Sequence, residues 1–123
     1  MSYEITLENG NVLELPKYSM AIAKKLENAD KVNAGQQPFE KKTRVVYDII
    51  SDIIGKDKVK ENIGAFDEVD PNAVYIMYMR IVQEYNRPID EFNQEKLEQS
   101  LESNQVEKIT SIIDAAEKAR GLR

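Results

Sequence analysis

The sequence predicts a mainly α fold, four or five helices with one N-terminal β-hairpin. Two observations carry this. Apolar residues recur at helical spacing in three long stretches, and one Asn-Gly pair stands between two short runs of alternating apolar and polar residues. At 123 residues the chain suits a single domain, read as a hairpin over 1–16, a helical core over 17–88 and an acidic helical tail over 89–123.

The hairpin comes first. Tyr3, Ile5 and Leu7 alternate with Glu4, Thr6 and Glu8, and Leu13 and Leu15 alternate with Val12 and Glu14. Asn9-Gly10 lies between the two runs, and both residues tolerate the positive φ of a type I′ turn. An isolated hairpin is marginal in water, so Ile5, Leu7, Leu13 and Leu15 need helices or a larger sheet to cover them. No third strand of similar quality follows, which leaves one or both hairpin edges open to another chain.

Pro16 ends the second strand, and Ser19 is placed to cap a helix running to about Asp30 with Ile22, Leu26 and Ala29 on one face. Residues 33–38 read as a polar loop broken by Gly35 and Pro38. A stronger helix follows from about Phe39 to Ile54. Val46, Ile49, Ile50 and Ile53 form its stripe, Val45 and Ile54 flank it, and Gly55 is its C′ residue. A short helix from Asp57 to about Asn62 turns Val59 and Ile63 inward and stops at Gly64. Phe66 and Val69 pin the loop after it.

The chain is organised around Asp70–Asn86. Asp70 caps the helix, and Pro71 takes the first helical position, where a missing N–H is harmless. Val74, Met77, Tyr78, Ile81, Val82 and Tyr85 make one apolar stripe, and Arg87 before Pro88 predicts the helix end. The core is expected to centre on Val46, Ile50, Ile53, Tyr78, Ile81 and Val82. Ile76 and Met79 lie off the stripe. With Tyr75 they are the candidates for contact with a partner chain.

Residues 90–103 are polar helix formers with Phe92, Leu97 and Leu101 as their large apolar groups. Asn104 and Glu107 then make a capping-box variant. Ile109, Ile112, Ile113 and Ala116 give a narrow apolar face that Gly121 closes. Its three isoleucines join the candidates for self-contact or partner contact.

Composition argues against most chemistry. There is no histidine and no cysteine, which removes the commonest general base, the usual nucleophilic triads, thiolate metal sites and disulfides. No phosphate-binding glycine loop is present. Asp67, Glu68 and Asp70 are acidic neighbours, but Val69 and Pro71 fill the intervals where a calcium loop needs ligands. The sequence thus predicts no catalytic, cofactor-binding or metal site. Seventeen Lys and Arg against 22 Asp and Glu give a net charge of −5 without a basic face, so nucleic acid is not an expected partner. The six tyrosines read as core residues with their hydroxyls at the surface. No apolar run is long enough to span a bilayer, and the N-terminus lacks the features of a signal peptide, so a cytoplasmic protein is expected.

The order of parts is informative. The hairpin ITLENGNVLEL leads through Pro16 into SMAIAKKLENAD, then the apolar helix TRVVYDIISDIIG, the connector IGAFDEVDPN, the central helix and an acidic helical tail. This resembles the small tail assembly chaperones of long-tailed phages and prophages of Gram-positive bacteria. The resemblance implies a mainly helical, non-enzymatic protein of the bacterial host's cytoplasm. It also implies weak homo-oligomers and binding to the tape measure protein before the tail tube forms around it. Two readings stand beside it: a small helical phage regulator associated with nucleic acid, and a stand-alone structural domain.

Overall fold

The computed structural model describes the backbone of residues 1–102 and the side chains of residues 1–98. Within them lie two strands, β1 (Tyr3–Thr6) and β2 (Val12–Leu15), and four helices, α1 (Met20–Ala34), α2 (Phe39–Ile54), α3 (Lys56–Ile63) and α4 (Pro71–Glu102). The fold is mainly α with one N-terminal antiparallel hairpin. The chain divides into two units, Met1–Asn86 and Arg87–Arg123.

In the first unit the hairpin register is Tyr3↔Leu15, Glu4↔Glu14, Ile5↔Leu13 and Thr6↔Val12. Ile5, Leu13 and Leu15 are buried, and Tyr3 and Leu7 pack partly against the same core. The turn differs from the two-residue type I′ expected from Asn9-Gly10. The Gly10 N–H donates to the Leu7 carbonyl at 2.9 Å, and the Leu7 N–H donates to the Asn11 carbonyl at 2.8 Å. Only Gly10 has positive φ, at +86°, and Asn9 does not. This is the three-residue loop in which an ordinary β-turn over Leu7–Gly10 is followed by a left-handed glycine. One residue carries the positive φ, and Asn9 is left to accept the Asn11 N–H on Oδ1 at 3.0 Å.

Helices α1 and α2 pack against each other and are joined by a short loop. Ser19 caps α1, with Oγ accepting the Ile22 N–H at 3.3 Å. The helix runs on to Ala34, beyond the expected end near Asp30, so the connecting loop is only Gly35–Pro38. Ile22, Leu26 and Ala29 are its buried face. In α2, Val46, Ile49, Ile50, Ile53 and Ile54 are buried together with Tyr47. Gly55 ends α2 at φ +115°, ψ 136°, and α3 starts at the next residue. Val59 of α3 is fully buried, and Phe66 and Val69 pack the following loop on the core.

Asp70 starts α4, its Oδ1 accepting the Asn72 N–H at 2.9 Å. Val74, Met77, Tyr78, Ile81 and Tyr85 are buried, whereas Val82 is half-buried at the margin of the core. The helix does not end at Arg87 as expected. It continues through Pro88 to Glu102. Proline removes one N–H and crowds the preceding turn, a cost of about 3 kcal/mol in a helix interior. Strong helix formers follow it, and the Arg87–Glu91 ion pair at 3.4 Å spans the proline one turn apart. The division between the two units falls at Asn86–Arg87, beside that proline. In the second unit Ile89, Phe92 and Leu97 are exposed. The capping box at Asn104 and the stripe through Ile109, Ile112 and Ile113 lie outside the described residues.

Of the six tyrosines expected in the core, Tyr47, Tyr78 and Tyr85 are buried, Tyr3 and Tyr75 are half-buried and Tyr18 is exposed. The three buried hydroxyls are each hydrogen-bonded within the fold. The Tyr78 hydroxyl donates to Asp30 Oδ1 at 2.6 Å and lies 3.1 Å from the Leu26 carbonyl. Tyr85 donates to the Pro16 carbonyl at 2.8 Å, and Tyr47 to the Gly64 carbonyl at 2.8 Å. Burial is the main cause that raises the Tyr78 hydroxyl pKa, followed by its hydrogen bond to Asp30. Burial, followed by Tyr3 and Tyr18, pushes Tyr85 up to about 12.

A raised folded-state pKa means that the native protein holds these protons more tightly than the unfolded chain. Their contribution is fully present below the unfolded tyrosine value of about 10 and is lost as pH rises through the folded value. Stability is therefore expected to be flat on this account up to about pH 10 and to fall between about 10 and 12. Denaturant melts across that range check it, and Tyr85→Phe should flatten part of the fall. An unchanged alkaline slope in the variant would contradict it.

Candidate functional site

The strongest candidate is an open cleft of about 400 Å³ where the hairpin turn, the end of α3 and the first turns of α4 meet. Its apolar lining comes from three elements: Leu7 from the turn, Ile63 from α3, and Ala73, Ile76 and Met77 from α4. The polar lining includes Glu8, Asn62, Asp70 and Arg80.

Local hydrogen bonds fix these walls. The Asn62 Oδ1 accepts from Asn11 Nδ2 at 2.9 Å and from Asn9 Nδ2 at 3.4 Å, and its own Nδ2 donates to the Lys58 carbonyl at 2.8 Å. The turn is thereby tied to α3. Arg80 ties it to α4: Nη1 donates to the Thr6 carbonyl at 3.1 Å, and Nη2 stands 3.9 Å from Glu8 Oε1. One turn further along, Glu84 Oε2 accepts the Glu4 N–H at 2.9 Å.

These bonds decide which hairpin edge is available. The Leu7–Asn11 pair is hydrogen-bonded, so by the alternation of antiparallel ladders Glu4 and Thr6 point their backbone groups outward on β1. Arg80 and Glu84 occupy that edge. The outer edge of β2 has no strand beside it among the described residues. Of the two edges expected to stay open, that of β1 is thus partly occupied by α4 side chains.

The residues singled out for partner contact separate into two places. Ile76 lines the cleft and is 44% exposed, and Met79, one turn along the same face, is 56% exposed. Tyr75 is half-buried elsewhere. Its hydroxyl donates to Asn33 Oδ1 at 3.1 Å and lies 3.4 Å from Thr43 Oγ1, and its ring is 6.3 Å from that of Phe39. Tyr75 therefore holds α4 to α1 and α2. Ile109, Ile112 and Ile113 lie outside the described residues. Arg80, Glu8 and Leu7 were not among the candidates. Arg80 stands one helical turn from Ile76, a spacing that already puts both on one side of α4.

A second recess of about 630 Å³ lies along α2 and α3. Arg44, Lys56 and Lys60 in its wall are matched by Asp48, Asp52 and Asp67. Arg44 is committed to Asp48 at 3.3 Å and lies over the Phe66 ring at 4.7 Å. With balanced charge, this recess selects no class of ligand.

Among the described residues no helix is long and apolar enough to cross a membrane. No family model, curated protein or solved structure matches the chain.

Proposed function

We propose that this protein is a non-enzymatic tail assembly chaperone of the long-tailed phage or prophage type. It self-associates and binds a tape measure protein during tail morphogenesis in the host cytoplasm. The observation that carries the reading is the strip made by Ile76 and Met79 on the solvent face of α4. Two large apolar side chains stand 44% and 56% exposed there, while the core of the same helix is already complete without them. Ile76 and Met79 are neighbours on one helix face and continue the apolar lining of the cleft, which supports a protein-binding face. The outer edge of β2, with no strand beside it among the described residues, offers a second surface for pairing with another copy. The order of hairpin, apolar helices and acidic tail agrees with the chaperone resemblance.

Co-expression with a tape measure protein of a long-tailed phage or prophage is the test. The expected result is a soluble complex in which the two proteins co-purify. A tape measure protein that aggregates equally with and without this chain would refute the reading.

A further inference from the structure

We infer that the cleft between the hairpin turn, α3 and α4 is the docking site for a basic amphipathic helix, seated along Ile76 and Met79. This deepens the chaperone reading, because it names the surface and the chemistry of its partner.

The shape of the site favours a helix. Ile76 and Met79 are three residues apart, so they extend the cleft's apolar lining along the α4 axis. An amphipathic helix laid on such a strip places anchors at i, i+3 or i+4 into it. Strand addition on this side is disfavoured, because Glu84 already holds the outward Glu4 N–H of β1 and Arg80 the outward Thr6 carbonyl.

Charge selects the partner. Glu8 and Asp70 stand in the cleft wall, and Glu68 is exposed in the loop just before α4. The cleft's one cation, Arg80, is held by the Thr6 carbonyl and Glu8. Lysines and arginines flanking the apolar anchors would therefore meet carboxylates. The same charge disfavours the chain's own α4 extension from a second copy. Ile89, Phe92 and Leu97 are exposed there, but they are interspersed with Asp90, Glu91, Glu95 and Glu98 against Lys96.

The test uses the full chain and two synthetic amphipathic peptides with the same leucine stripe, one carrying lysines on its polar face and the other glutamates. Binding is read by fluorescence anisotropy. The leucine–lysine peptide is expected to bind saturably, and the leucine–glutamate peptide at least about tenfold more weakly. Ile76→Asp is the decisive variant. It adds a carboxylate, so non-specific attraction to a basic peptide would strengthen, whereas docking in the cleft would weaken by about tenfold or more. Met79→Asp, on the same exposed strip, is the second variant if Ile76→Asp does not fold.

No saturable binding of the leucine–lysine peptide would overturn the proposal. So would equal binding of both peptides, or an Ile76→Asp variant that binds as tightly as the parent. The chaperone reading fails separately. A tape measure protein that co-purifies equally with Ile76→Asp leaves that reading standing and removes the cleft. Peptide binding at the cleft without tape measure binding does the reverse.

Discussion

Ile50→Ala is expected to lower the unfolding free energy by about 2–5 kcal/mol, and Ile81→Ala by a similar amount. Both side chains are fully buried, Ile50 on α2 and Ile81 on α4, in the shared core of the first unit. Truncation removes the transfer free energy of the deleted carbons and leaves a cavity that close-packed neighbours fill only in part. Since typical domains are stable by about 5–15 kcal/mol, either change removes a large share of the total. Val82→Ala is the internal comparison: Val82 is half-buried, so its truncation should cost less. Denaturant melts should show a lower midpoint with an unchanged slope. A loss below about half a kcal/mol for Ile50→Ala would mean that the core is not centred where these helices meet.

Gly55→Ala is expected to cost about 1–3 kcal/mol through backbone conformation alone. Gly55 links α2 directly to α3. Its N–H donates to the Ser51 carbonyl at 2.9 Å, and its own carbonyl accepts the Val59 N–H at 3.1 Å. Its φ of +115° with ψ of 136° is a region that L side chains rarely adopt. A Cβ placed there meets nothing within 4 Å, so crowding contributes nothing to the penalty. Gly35→Ala is the control. Gly35 has an ordinary φ of −80°, and a Cβ would sit 3.4 Å from the Val32 carbonyl oxygen. Melts of the two variants should differ clearly, and equal melts would contradict the strain argument.

What the sequence made legible follows from how local each signal is. The buried faces of α2 and α4 stand in the chain as runs at 3.6-residue spacing, so Val46, Ile50, Ile53, Tyr78 and Ile81 could be assigned to the core directly. Ser19 and Asp70 announce helix starts because capping is a contact over two or three residues. The position of the hairpin was legible from Asn9-Gly10, but its turn type was not. A two-residue and a three-residue loop both accept that pair, and the choice rests on Leu7 pairing with Asn11. Pro88 misled because its local preference yields to the helix formers on either side.

The cleft was legible only in part. Ile76 and Met79 stood out because they fall off the stripe of α4. Leu7, Ile63 and Ala73 come from three separate elements, and no spacing in the chain brings them together. The same holds for the covering of β1. Arg80 and Glu84 reach Thr6 and Glu4 across more than 70 residues, so the closed edge could not be read from the hairpin alone.

The proposed mode of action is assembly, with itself and along a helical partner. Sedimentation velocity of the full chain from low to high concentration, with and without a tape measure fragment, tests it most directly. The boundaries are expected to shift to larger species with concentration and to shift further when the fragment is added. A single monomer boundary at every concentration, unmoved by the fragment, would contradict it.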